Sequence, residues 1–137
     1  MRVLITGAGG FLGTHLLRGL GGHTVIAASR RRIDGHEWRR LADLGGEVDW
    51  DSVLRDVDAV VHLANIAHQS ASEADFERIN HRATVDLCAA AKRQGVRHVI
   101  YVSSIYAQVG HSSPTVATEA DTPAPVNAYG RSMLGQG

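Results

Sequence analysis

Cysteine occurs once in this 137-residue chain, at Cys88, so no disulfide can close within it and no cysteine cluster can hold a metal. That usage fits a reducing compartment, and a cytoplasmic location is the expectation. Net charge is also missing. Fourteen basic side chains face fourteen acidic ones, which leaves no electrostatic footprint for a nucleic-acid groove. No apolar run approaches the ~20 residues of a membrane span, and the stretch from Met1 to Gly7 is too short for a secretory leader. Aromatic residues are few, with two Trp, three Tyr and two Phe, so Val, Leu, Ile and Ala must build the core. A chain of this length buries roughly 70% of its unfolded surface, which suffices for a single domain spanning residues 1–137. The three prolines fall together at Pro114, Pro123 and Pro125, inside a Ser- and Thr-containing stretch from Gly110 to Asn127 that reads as a long functional loop.

What is present is a succession of short apolar runs alternating with helical stripes. Val3-Leu4-Ile5, Ala59-Val60-Val61-His62-Leu63 and Val99-Ile100-Tyr101-Val102 are continuous rather than alternating, the pattern of parallel strands covered on both faces. Thr24 to Ala28 reads as another strand, and Glu37 to Leu41 as a short one. Phe11, Leu12, His15, Leu16, Leu17 and Leu20 predict one helical stripe. Phe76, Ile79, Ala83, Leu87 and Ala90 predict another, on a long helix from about Glu73 to Gln94. A one- to two-turn helix is expected near Trp50 to Arg55, and a last one capped by Asn127. This order argues for a doubly wound α/β domain with right-handed crossovers.

The first strand runs through Thr6-Gly7-Ala8-Gly9-Gly10-Phe11-Leu12-Gly13 directly into the first helix. Read as G-x-x-G-x-x-G, the motif fits at Gly7, Gly10 and Gly13. One glycine permits the turn off the strand, one lets a pyrophosphate approach the backbone, and one lets helix pack on sheet, while the helix N-terminus attracts the phosphate charge. The partner expected here is a dinucleotide.

With these motifs, the sequence resembles the extended short-chain dehydrogenase/reductases, the NAD-dependent epimerase/dehydratase family. The resemblance rests on Thr6 to Gly13, Asp43-Leu44, Val57-Asp58-Ala59-Val60-Val61-His62-Leu63-Ala64, Asn80, Val102-Ser103-Ser104-Ile105 and Tyr129-Gly130-Arg131-Ser132. It implies a Rossmann domain of about five strands in the order 3-2-1-4-5. It further implies that Gly7, Gly10 and Gly13 with the Phe11 and Leu12 amides cradle the pyrophosphate, that Asp43 and Leu44 meet the adenine, and that Leu63 and Ala64 line the cofactor. Ser104 and Tyr129 would be the catalytic hydroxyl pair, exchanging a proton with a sugar hydroxyl as hydride moves to or from the same carbon. The substrate implied is a nucleotide sugar. Family members continue into further strands and a smaller C-terminal region, so the sheet is expected to be incomplete relative to the family. The fifth strand should then be an open edge and part of one sheet face should lack its helix, leaving apolar surface from which self-association or a poorly ordered C-terminus is expected.

In one place the sequence departs from that pattern. A free phenol, with a pKa of about 10, is ionised only on the order of one part in a thousand at neutral pH, and the family sets a lysine four residues after its tyrosine to lower that pKa. Here the position is Met133, read as an apolar contact, and the chain's lysine, Lys92, lies near the far end of the long helix. An alternative reading is therefore a dinucleotide-binding module without turnover. The corner after the second strand is Ala28-Ser29-Arg30-Arg31-Arg32, with no carboxylate before Asp34. NAD-selective folds place an acid there, whereas arginine accommodates a 2'-phosphate. The cofactor is accordingly NAD(P), leaning to NADP, with Ser29 and Arg30 the expected phosphate contacts and a solvated arginine loop the alternative. Asn80 is either a holder of backbone groups near the site or a satisfied core amide. The eight histidines, including His62, His68 and His81, show no ligand spacing with a carboxylate, so no metal site is expected.

Overall fold

The computed structural model describes residues 1–67 and 70–135; His68 lies outside them. Five strands form one parallel sheet: β1 (Arg2–Thr6), β2 (Thr24–Ser29), β3 (Glu37–Arg40), β4 (Ala59–His62) and β5 (His98–Tyr101). Their spatial order is β3-β2-β1-β4-β5, the expected doubly wound arrangement. Register sets Leu4 beside Ile26 and Val60, and Thr6 beside Ala28 and His62.

Alternate residues of the central strands feed two cores, which is why their sequences are apolar without a break. Leu4, Ile26 and Val60 pack with Trp50, Leu54 and Leu87 on one face. Val3, Ile5, Ala27 and Val61 pack with Leu17 on the other. The first face is covered by α2 (Trp50–Val53) and α4 (Ala83–Gln94), the second by α1 (Phe11–Gly19), while α3 (Glu73–Phe76) and a π-helical segment (Glu77–Arg82) lead into α4.

Local chemistry fixes the helix ends. Asp49 caps α2, accepting from Ser52 N at 3.1 Å, and Ser72 with Asp75 forms a capping box at α3. Asn127 caps α6 (Ala128–Leu134), its Oδ1 accepting from Gly130 N at 2.7 Å. A short helix absent from the sequence reading, α5 (Ile105–Gln108), begins at Ser104 and packs against α6. The two backbones touch at Gly130, where a Cβ would overlap Tyr106 O and stand 2.9 Å from Tyr106 C.

Two expectations are corrected. The α1 stripe does not face the core along its length: Phe11 is 83% exposed, and Leu12 and His15 are exposed as well, leaving Gly13 and Leu17 as the buried residues. The first turn projects past the end of the sheet, so its apolar side chains have no strand beneath them. The long helix is also not uniform. Within the π segment Asn80 turns inward, 1% exposed, while Ile79 is only half-buried.

β5 and β3 are the two edges of the sheet, and on β5 Val99 is 39% and Ile100 54% exposed. Among the described residues no helix is long and apolar enough to cross a membrane.

Candidate functional site

Because all five strands run the same way, their carboxyl ends and the loops that follow open on one edge, where ligands of doubly wound sheets bind. A cleft of about 950 Å³ lies there. Gly7, Gly10, Ser29, Arg30, Asp43, Leu44, Leu63 and Ala64 all line it. Four loops separated by tens of residues thus meet at one surface. Phe11, Leu12 and Gly13 form the adjoining first turn of α1, whose cap residue Gly10 offers no side chain to its N–H groups. Those donors remain for an anion.

Two glycines build the turn by necessity. Gly7 has φ +67°, and a Cβ on it would lie 3.0 Å from Ala64 N, so both its conformation and its space exclude a side chain. A Cβ on Gly13 would overlap Gly7 O and stand 2.7 Å from Ala8 Cα. This is close helix-to-turn packing, stitched by Gly10 N donating to Gly7 O at 2.9 Å.

The arginine corner is electrostatically open. Arg32 pairs with Asp34 at 3.3 Å, both side chains largely exposed, whereas Arg30 and Arg31 form no ion pair among the described residues. Ser29 is engaged differently from the expectation. Its hydroxyl donates to Arg31 O at 2.5 Å and accepts from Trp38 Nε1 at 3.0 Å, so its one proton is committed to shaping the corner. Asp43 likewise organises its own turn, Oδ1 accepting from Gly45 N at 2.9 Å.

Beneath the cleft lies a buried polar chain that sequence reasoning missed. Thr6 Oγ1 meets His62 Nδ1 at 2.7 Å, His62 Nε2 meets Thr84 Oγ1 at 3.1 Å, and Thr84 donates to Asn80 O at 2.7 Å. Asn80 also clasps the cleft wall: Oδ1 accepts from Ile66 N at 2.8 Å and Nδ2 donates to Ile66 O at 2.9 Å. Its Nδ2 reaches Ser132 Oγ at 3.1 Å, linking the wall to α6. The two readings of Asn80 are therefore both true of it, a buried amide whose partners are backbone groups of the site. The spacing of Asn80 and Thr84 on one helical face was the available signal.

Ser104 and Tyr129 sit on α5 and α6, beyond the lining of the cleft. Ser104 Oγ accepts from Tyr106 N at 3.3 Å, and the Tyr129 ring packs between Phe76 at 5.9 Å and Tyr106 at 6.2 Å. Among the described residues the two hydroxyls share no hydrogen bond. Met133 is 2% exposed, and its Sδ accepts from Tyr101 OH at 2.9 Å. Burial foremost, and the charge of Tyr129 second, hold the Tyr101 phenol well above its ordinary value. That phenol is a donor.

A family model described as the NAD dependent epimerase/dehydratase family matches residues 3–134. A UDP-glucose 4-epimerase of Azospirillum brasilense is 30% identical, covering 97% of this chain and 42% of that protein. A dTDP-4-dehydrorhamnose reductase of Burkholderia thailandensis is 35% identical, covering 98% and 43%. Among solved structures, MoeE5 in complex with UDP-glucose and NAD superimposes with a TM-score of 0.86 at 30% identity, covering 99% of this chain and 46% of that one. The chain thus spans less than half the length of these relatives.

Burial pushes His62 down from 6.5 to about 4. The unfolded chain therefore takes up a proton below pH 6.5 that the folded chain refuses, and this contribution to stability, full above 6.5, is lost as pH falls towards 4. Urea unfolding at pH 5 should give a free energy about 2 kcal/mol below that at pH 7 from this residue, and the same acidification should cost a His62→Phe variant much less. Equal losses in both proteins would contradict the assignment.

Proposed function

The chain belongs to the NAD dependent epimerase/dehydratase family, and on that premise we propose that it is the dinucleotide-binding part of an oxidoreductase that moves hydride between a sugar carbon of a nucleotide sugar and a nicotinamide. The observation that carries this reading is the cleft, which gathers the glycine turn, the arginine corner and the Leu63-Ala64 wall on one edge of the sheet.

The residues fit such a cofactor. Backbone packed against Gly7 and Gly13 excludes a Cβ at both, which draws the start of α1 up to the turn, and no side chain caps the N–H groups of Phe11, Leu12 and Gly13 beside the cleft. Leu63 and Ala64 supply an apolar wall, and Asp43 with Leu44 the far end for adenine. The bound dinucleotide would supply the hydride acceptor. In this reading Tyr129 takes the proton of the sugar hydroxyl and Ser104 holds that hydroxyl in place. Location in the cytoplasm belongs to the same reading.

Arg30 and Arg31, free of carboxylate partners, favour NADP over NAD. Arg30 is the phosphate contact we propose; Ser29 contributes by fixing the Arg31 backbone, which presents the corner.

A second reading is favoured by Met133. An apolar side chain buried against Tyr101 leaves Tyr129 without a cation four residues along its helix, so the same domain would bind a dinucleotide without turning it over.

Calorimetric titration tests the cleft. NADP should bind about tenfold tighter than NAD, and Arg30→Ala should remove that preference while leaving NAD affinity unchanged. Gly10→Asp should abolish binding of both: aspartate is a favourable helix cap but carries negative charge into the phosphate position. NAD binding equal to or tighter than NADP would overturn the cofactor preference, and unaltered binding by Gly10→Asp would overturn the site.

Self-association through the exposed β5 edge is a further part of this proposal. Sedimentation velocity should give species larger than the 14.7 kDa monomer, and Ile100→Lys, which puts charge on the edge, should shift them to monomer. A concentration-independent monomer would count against it.

A further inference from the structure

The proton positions along the buried chain beneath the cleft can be read from both of its ends. Thr6 Oγ1 accepts from Leu63 N at 3.1 Å and from Ala64 N at 3.2 Å, which uses both of its lone pairs. Its hydrogen must therefore be given to His62 Nδ1, 2.7 Å away. At the other end, the Thr84 hydroxyl donates to Asn80 O at 2.7 Å, so towards His62 it can only accept. Both constraints, arising from different elements, require the hydrogen on Nε2 and none on Nδ1. Thr6 and His62 are fully buried, and Thr84 is 3% exposed, so bulk solvent does not compete for either hydroxyl. The rings packed on the imidazole are Trp50 and Tyr101, at 6.2 and 5.9 Å, and the phenol of the latter is neutral.

We propose that His62 is a positioning residue, held as the neutral Nε2–H tautomer so that Thr6 is compelled to accept from Leu63 and Ala64 and the end of β4 is turned against Gly7. The cleft wall is set by this orientation. Were Nδ1 to carry the hydrogen, it would point at an oxygen already accepting twice, and one of the two backbone N–H groups would have to leave. The Leu63-Ala64 segment would then rotate away from the glycine turn, whose Gly7 Cβ position is 3.0 Å from Ala64 N. That the cleft shaped in this way receives a dinucleotide rests on the reading above; the tautomer and its hold on the backbone do not.

Long-range nitrogen-proton correlation spectra of the nitrogen-15-labelled, ligand-free chain decide the tautomer. The expected result is one His62 ring with an unprotonated Nδ1 and a protonated Nε2, unchanged from pH 8 to pH 5. A ring protonated on Nδ1, an average of two tautomers, or a titration within that range would overturn the proposal. Amide exchange tests the positioning role. The Leu63 and Ala64 amides should be protected in the wild type and in Thr6→Ser, which keeps the hydroxyl, and should exchange at least about tenfold faster in Thr6→Val, which keeps the shape. NADP affinity should fall about tenfold in Thr6→Val and recover in Thr6→Ser. Protection retained in Thr6→Val would refute positioning. Correct exchange behaviour with no binding of either NADP or NAD by any of the three proteins would uphold the His62 proposal and refute the dinucleotide reading. Should Thr6→Val fail to fold, the wild-type spectra alone decide the tautomer.

Discussion

The hydroxyl of Thr6 is where the sheet, the glycine turn and the cleft wall are joined. It ends β1, the strand at the centre of the sheet, and it takes the N–H groups of Leu63 and Ala64 that would otherwise be orphaned as β4 runs out. One residue later Gly7 turns under the same backbone. Since Gly7 tolerates no side chain against Ala64 and Gly13 none against Ala8, strand end, turn and helix start form a single packed unit. The first-turn N–H groups of α1 next to that unit have no side-chain cap. A charged ligand arriving there meets donors already in place, with little ordering left to do on binding.

Around that unit the chain divides its polar resources unevenly. The cleft side carries open arginines at the corner, self-ordered turns at Asp43 and Ser29, and apolar walls. The side of Ser104 and Tyr129 is packed by rings: Tyr129 lies against Phe76 and Tyr106, and Tyr106 against His111 at 5.5 Å. Met133, buried on the Tyr101 hydroxyl, completes an apolar and hydrogen-bonded contact where a cation would otherwise bear on the phenol. Asn80 connects the two sides, its amide gripping Ile66 in the cleft and Ser132 in the Tyr129 helix. The cleft wall and the helix that carries Tyr129 are thus tied together through one buried amide.

Much of the architecture was legible because it follows from local rules. Continuous apolar runs mark the strands, and glycines at 7, 10 and 13 after such a run mark a tight turn into a helix, while the strand order and the Asp43, Leu44, Leu63 and Ala64 lining of the cleft followed from the family resemblance. Features that depend on distant partners could not. Phe11 and Leu12 fit an amphipathic stripe, yet they project beyond the sheet, which only the end of β1 determines. Ser29 reads as a phosphate donor until Trp38 and the Arg31 carbonyl claim its hydroxyl. His62, a lone histidine in a strand, carries no local sign of its role, because its partners Thr6 and Thr84 lie 56 and 22 residues away. The π segment is similar: nothing in its composition distinguishes it from the α-helix on either side, and only the inward turn of Asn80 gives it a purpose.

Backbone amide mapping during titration with NADP tests the central claim most directly, since it asks where the ligand sits rather than only whether it binds. The account requires the largest shifts at Gly10, Phe11, Leu12 and Gly13, with a second set at Arg30, Arg31, Leu63 and Ala64. Shifts concentrated instead in the charged groove between Val48 and Arg82 on the outer face of the helices, or no shifts at saturating nucleotide, would contradict it.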